Sequence, residues 1–181
     1  MKKLFTIFLL LFAITQNYCQ PPNKSEARKF IENAEITQIN KDWTVTAEFK
    51  SGVGEILSFF PIEIINLKSN NKIKALQMDY GRSGYTSFRS SWIDLDEIDE
   101  FILFIEQFVI PNLKDKTEKK QSTTYIFNSK EIVFRFNIEN TTRRISIYCK
   151  DNGIVDYNQY FWTETQIGKI PDLLTMLKQI K

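Results

Sequence analysis

Over residues 43–50 the chain alternates with a period of two. Trp43, Val45, Ala47 and Phe49 fall on one side, Thr44, Thr46, Glu48 and Lys50 on the other. Successive side chains of a strand point to opposite faces, so this pattern predicts a strand with one buried face. Ser51-Gly52-Val53-Gly54 then turns the chain into a long apolar strand over 56–67, with Pro61 in its middle. Proline has no N–H to give a ladder, which argues for an edge or a bulge at that point. Asn70-Asn71 and Gly81-Arg82-Ser83-Gly84 mark two more turns, with strands over 73–80 and 85–93. There the period changes. Leu95, Ile98, Phe101, Ile102, Ile105, Phe108 and Val109 recur at helical spacing, with Asp94 or Asp96 placed to cap the helix and Pro111 placed to stop it.

The second half repeats the order. Strands are expected over 123–128, 131–139, 144–150 and 157–163, and a helix over 167–180 with Pro171 in its first turn. Residues 60–108 align with 132–180 without a gap. Phe60, Ile62 and Ile64 meet Ile132, Phe134 and Phe136, Gly81 meets Gly153, and Ile98, Phe101 and Ile105 meet Ile170, Leu173 and Leu177. Two amphipathic helices can always be phased to agree, but one spacing that also aligns strands and a turn glycine points to a duplication. The expectation is an α+β fold of two pseudo-repeated ββββα units, antiparallel sheets with helices packed on them. A four-stranded meander has one apolar face, which its own helix can cover in part. The units run over 20–112, with an N-terminal extension, and 113–181, within a single compact domain. The extension carries a helical turn over Ala27, Phe30, Ile31 and Ala34, and 114–120 reads as a surface linker.

Residues 1–19 read as a signal peptide. Lys2 and Lys3 precede an apolar stretch from Leu4 to Ile14, and polar Gln16 and Asn17 follow. At 1.5 Å per residue that stretch falls far short of ~30 Å of hydrocarbon, so no stable membrane span is expected. Cleavage is placed after Cys19. Lipidation of Cys19 is the competing reading, and bulky Tyr18 before it argues against that. Export to the periplasm or the medium follows.

The 24 Lys and Arg face 22 Asp and Glu, and losing Lys2 and Lys3 with the leader balances the charge. A neutral chain lacks the basic footprint of a nucleic-acid binder. The absence of histidine removes Ser-His and Cys-His pairs and the commonest zinc ligand. Cys149 shares a strand face with Ile145 and Ile147 and reads as a small buried hydrophobe, alone in the mature chain and without a disulfide. The turn Gly81–Gly84 reads as a hairpin rather than an anion cradle.

Asp94, Asp96, Glu97, Asp99 and Glu100 form the most conspicuous cluster. They sit where a helix begins and contain no turn glycine, so they read as capping and dipole-complementing carboxylates rather than a calcium loop. Trp92-Ile93-Asp94-Leu95-Asp96-Glu97-Ile98-Asp99 resembles an Asp-x-Asp-Glu-Ile helix opening found in small exported bacterial proteins of unknown function. That resemblance implies export and brings no catalytic residue. The doubled ββββα order is similar to PUR repeats and whirly-type single-strand nucleic-acid binders. Such proteins use sheets bearing aromatic and basic residues. Candidates of that kind here are Trp43, Tyr85, Phe88, Tyr125, Tyr148, Tyr160 and Trp162, with Lys74, Arg89, Arg135, Arg143 and Arg144.

No catalytic residue, metal ligand or cofactor is assigned. The leading expectation is a non-catalytic protein-interaction or binding module. Its partner is an unknown protein or a second copy, met through a strand edge or through helix 94–110, where Leu103 and Phe104 widen the apolar stripe. A binder of small apolar or amphiphilic ligands, in a cavity between sheets and helices, is the alternative. A carboxylate-based hydrolase and a single-strand nucleic-acid binder come after it.

Overall fold

The computed structural model describes residues 24–82, 88–114, 121–151 and 153–180. The leader with Cys19, the turn residues Ser83 and Gly84, Tyr85 and most of the 114–120 linker lie outside the described residues. The chain builds α1 (Glu26–Asn33), β1 (Thr37–Lys41), β2 (Ala47–Lys50), β3 (Glu55–Asn66), β4 (Lys72–Arg82), β5 (Phe88–Asp94) and α2 (Leu95–Phe104). It continues through β6 (Ser122–Asn128), β7 (Ile132–Glu139), β8 (Thr142–Asp151), β9 (Ile154–Thr163) and α3 (Ile170–Ile180). The first antiparallel sheet has the order β1-β3-β4-β5, with β2 also pairing β3, and the second has the order β6-β7-β8-β9. The fold is α+β, and each half is a meander followed by a helix.

The departures from expectation have local causes. The Asp42 carboxylate takes the Thr44 N–H at 2.9 Å and its hydroxyl at 2.6 Å. That turn holds Trp43–Thr46 out of the ladder despite their alternation. β1, polar but for Ile39 and without period two, pairs with β3 in the space so freed. Pro61 lies inside the sheet, yet it sits opposite the gap between β1, which pairs from Ile62 onward, and β2, which pairs up to Phe59. Its carbonyl accepts the Asp42 N–H at 3.0 Å, so its missing N–H faces the same gap and leaves no ladder bond unmade. Pro111 does not stop α2 directly. The helix widens into a π turn over Ile105–Val109 and ends in a 3₁₀ turn over Ile110–Asn112 that carries the proline.

The inner faces of both sheets and the apolar sides of α2 and α3 merge into one core, including Phe59, Met78, Ile93, Phe101, Phe134, Phe136, Phe161 and Leu173. The helices cross over. Phe101 of α2 stacks on Phe127 of the second sheet at 4.5 Å and meets Phe134 edge-on at 5.5 Å. α3 lies along β2 of the first sheet, with Lys169 bonded to the Glu48 carbonyl just ahead of it. No loop separates β5 from α2; the helix starts against β4 and β5 of its own sheet and carries Phe101 and Phe104 onto Phe127 and Phe134 of the second.

The gapless alignment of the halves holds in part. Phe60 faces Gln77 across β3–β4, and their aligned counterparts Ile132 and Cys149 face each other across β7–β8. The helices also bury aligned positions, Ile98 with Ile170 and Phe101 with Leu173. In β3, however, Phe60, Ile62 and Ile64 point away from the core that Leu57 and Phe59 enter, whereas Ile132, Phe134 and Phe136 point into it. The alignment is slipped by an odd number of residues there, which exchanges the two faces. It fits because β3 is apolar on both sides.

The outer apolar stripe is covered by α1. Ala27, Phe30 and Ile31 pack on Phe60, Ile62, Ile64, Ala75 and Trp92 as a second, smaller core. The outer face of the second sheet carries no such helix among the described residues.

Candidate functional site

Two polar constellations stand out, and the sequence pattern separates their roles. The first is a clasp where α1, the start of α2 and the β6–β7 hairpin meet. Glu131 is buried and accepts from Ser25 Oγ at 2.5 Å, Arg28 Nε and Nη2 at 2.8 and 2.9 Å, and the Trp92 N–H at 3.0 Å. Its hydrogen bond to Arg28 raises that guanidinium's pKa and holds it charged. Ser25 caps α1 through the Arg28 N–H at 3.0 Å. Asp94 accepts the next two free N–H groups of that helix, Glu26 at 2.7 Å and Ala27 at 3.1 Å. It therefore serves the N-terminus of α1 as well as that of α2, where the Asp94 N–H bonds Glu97 at 3.1 Å.

Asp94, Asp96 and Glu97 bring carboxylate oxygens within 4.8 Å of one another. A cation already lies among them: Lys130 Nζ is 2.8 Å from Asp94 and 3.2 Å from Asp96. Burial alone would lower the Lys130 pKa, but the bonds to Asp94 and Asp96 outweigh it and raise it. Burial pushes the Glu97 carboxyl up, against the pull of the Lys130 and Asp94 N–H groups. These carboxylates are committed to helix starts and a lysine.

The second constellation is the outer face of the second sheet. Alternation along β7, β8 and β9 sends Arg135, Asn137, Arg144, Ser146, Tyr148, Tyr160 and Trp162 to the side opposite the core. Tyr148 and Tyr160 stack with centroids 5.5 Å apart, and Tyr157 meets Tyr148 edge-on at 5.9 Å. The Arg135 guanidinium lies 4.6 Å over the Tyr148 ring, and that of Arg144 lies 4.8 Å over Trp162 while bonding Glu164 at 2.8 Å. Tyr157 is 66% exposed and Tyr160 41%, beside Ile126 at 53%. A concave cup of about 240 Å³ opens next to the rings, lined by Thr124, Arg135, Asn137, Glu139, Thr142 and Arg144. Aromatic faces and guanidinium groups stack on flat or apolar groups and hold oxyanions, which is binding chemistry.

Tyr148, Tyr160, Trp162, Arg135 and Arg144 of the aromatic and basic candidates are thus brought together. Tyr125 and Arg143 point the other way, Tyr125 against Phe136 and Arg143 to the Asn112, Asn140 and Thr142 carbonyls. Trp43, Lys74 and Arg89 belong to the first sheet and the loop before β2. Tyr85 and the side chain of Phe88 lie outside the described part of the chain. Tyr157 joins the face although alternation does not mark it, because a bulge between Tyr148 and Lys150 shifts the β8–β9 register.

The apolar pair on α2 splits. Leu103 is 49% exposed, whereas Phe104 is core, with its ring 5.9 Å from those of Phe127 and Phe134. Cys149 is buried and free, and burial pushes its thiol pKa up, which disfavours the thiolate. Among the described residues no helix is long and apolar enough to cross a membrane. No protein-family model matches the chain, and no curated protein matches it either.

Proposed function

We propose that the chain is an exported, non-catalytic binding module that meets a partner protein through the outer face of its second sheet. The observation that carries this is the contrast between the two sheets: the first has α1 over its outer stripe, with Trp43 and Ile39 exposed at its margin, while the second has no such cover among the described residues and leaves Tyr157, Tyr160, Ile126 and two stacked arginines on an open face. Exposed aromatic and apolar groups that cost solvation and cover no core are characteristic of contact surfaces. Arg144 is paired with Glu164 and Arg89 with Asp156, so among the described residues no continuous basic stripe favours nucleic acid. The space between sheets and helices is filled by the aromatic core, and no observation favours a ligand buried there.

Native mass spectrometry of the mature protein purified from its own cells tests the reading. Bound mass should be carried by the wild type and by Trp43→Ala, which alters the loop packed on Phe60 of the first sheet. It should be lost from the Tyr157→Ala/Tyr160→Ala double variant. Bound mass indifferent to Tyr157 and Tyr160 would overturn the assignment of this face.

A further inference from the structure

Resting on that reading, we infer that the cup beside the rings takes a carboxylate from an acidic segment of the partner, with Arg135 as its receptor. The other arginines whose side chains are described have oxygen partners: Arg28 on Glu131, Arg89 on Asp156 and the Lys150 carbonyl, Arg143 on three carbonyls, Arg144 on Glu164. Arg135 differs. Among the described residues it makes no ion pair, its Nε is buried without a hydrogen-bond acceptor, and its guanidinium rests on the face of Tyr148. A guanidinium laid flat on a ring keeps in-plane N–H groups for an acceptor, and with Nε buried the edge left for one here is the terminal Nη1–Nη2 edge. A planar carboxylate entering along that edge makes two parallel hydrogen bonds.

The cup has room for such a group, at about 240 Å³, with Thr124 and Asn137 on its wall. Glu139 lines its far end, four positions along β7 from Arg135, which at ~3.3 Å per residue is ~13 Å away. The cup is therefore polarised, receptive to a carboxylate near Arg135 and repelling a second one near Glu139. Tyr148 lies under Arg135 and exposed Ile126 sits opposite it across β6–β7, so apolar or aromatic neighbours of the acidic residue have a surface to lie on.

A random peptide library panned against the folded protein tests this even while the partner is unidentified. The wild type should enrich peptides containing Asp or Glu beside apolar residues. A capped synthetic copy of the best peptide should bind at least tenfold more tightly than its Asn or Gln counterpart in calorimetry. Arg135→Gln should lose that preference while melting like the wild type. Arg135→Lys, which keeps the charge but not the fork, should weaken binding about tenfold, and Glu139→Gln should tighten it. Absence of acidic enrichment, or the same peptides selected by Arg135→Gln, would overturn the inference. Peptides that ignore Arg135 yet are lost from Tyr157→Ala/Tyr160→Ala would do so while leaving the face assignment standing. Peptides that ignore all three residues would overturn both.

Discussion

The two sheets share a meander of four strands, β2 to β5 and β6 to β9, to which the first adds β1, and they differ in their outer surfaces. On the first, β3 is apolar on both sides, and α1 lies over the outer stripe, tied down by Ser25, Arg28, Asp94 and Glu131. On the second, β7 alternates from Phe134 onward, with Phe134 and Phe136 inward and Arg135 and Asn137 outward. A sheet with two apolar faces must be covered twice, and the N-terminal extension supplies the second cover. A sheet with one apolar face is complete once a helix fills it, and its other side is free for rings and charges. The duplicated plan thus yields one structural sheet and one available sheet.

The contrast is broken most severely at the clasp. Glu131→Ala should leave Arg28 and three further donors without their buried acceptor and cost about 3–5 kcal/mol in urea unfolding, with dye binding to the uncovered stripe. Loss below about 1 kcal/mol, the scale of an exposed ion pair, would mean that α1 is not held this way. Paired truncations on the two outer faces sharpen the comparison. Ile64→Ala, fully buried under α1, should cost about 2–5 kcal/mol. Ile126→Ala, exposed on the second sheet, should stay within about 0.5 kcal/mol.

A smaller effect carries a pH signature. Burial works to raise the Asp79 carboxyl, but hydrogen bonds from Lys41, Ser90 and Gln77 outweigh it and hold the pKa below the usual range. Its stabilisation is therefore present above the ordinary aspartate value of about 3.9 and lost as pH falls toward the folded value. Asp79→Asn should cost about 1–2 kcal/mol at neutral pH, with the gap to wild type closing in acid. A gap that grows in acid would reverse the sign. Least of all, Leu103→Asp on exposed α2 surface should change stability by no more than about 0.5 kcal/mol and leave partner binding intact. Dissociation of an assembly by that variant would move the interface to α2.

Most strands and both long helices are legible in the chain because their periods are strong. The α2 and α3 patterns place Ile98, Phe101, Ile170 and Leu173 in the core as their spacing requires. β1 is not legible, since its polar residues pair only because Asp42 holds the following segment in a turn. The face exchange between β3 and β7 is hidden for a related reason. Apolar Phe60, Ile62 and Ile64 look like main core until α1 is seen to lie on them, and α1 is short and weakly marked in the chain. Tyr148, Tyr160, Trp162, Arg135 and Arg144 are individually visible as candidates. That they share one face follows from register, and that the face is open follows from what α1 does to the other sheet. The clasp is the least visible part, because Glu131 and Arg28 are far apart in sequence and nothing local marks them as partners.

Hydroxyl-radical footprinting of the purified protein tests the asymmetry most directly, because it reads side-chain accessibility on both outer faces in one sample. Tyr157 and Tyr160 should be oxidised at rates near those of free tyrosine. Phe60, Ile62 and Ile64 should be protected until Glu131→Ala releases α1, when their rates should rise severalfold. Equal modification of the two faces in the wild type, or protection of Ile62 and Ile64 unchanged by Glu131→Ala, would contradict the division into one covered and one available sheet.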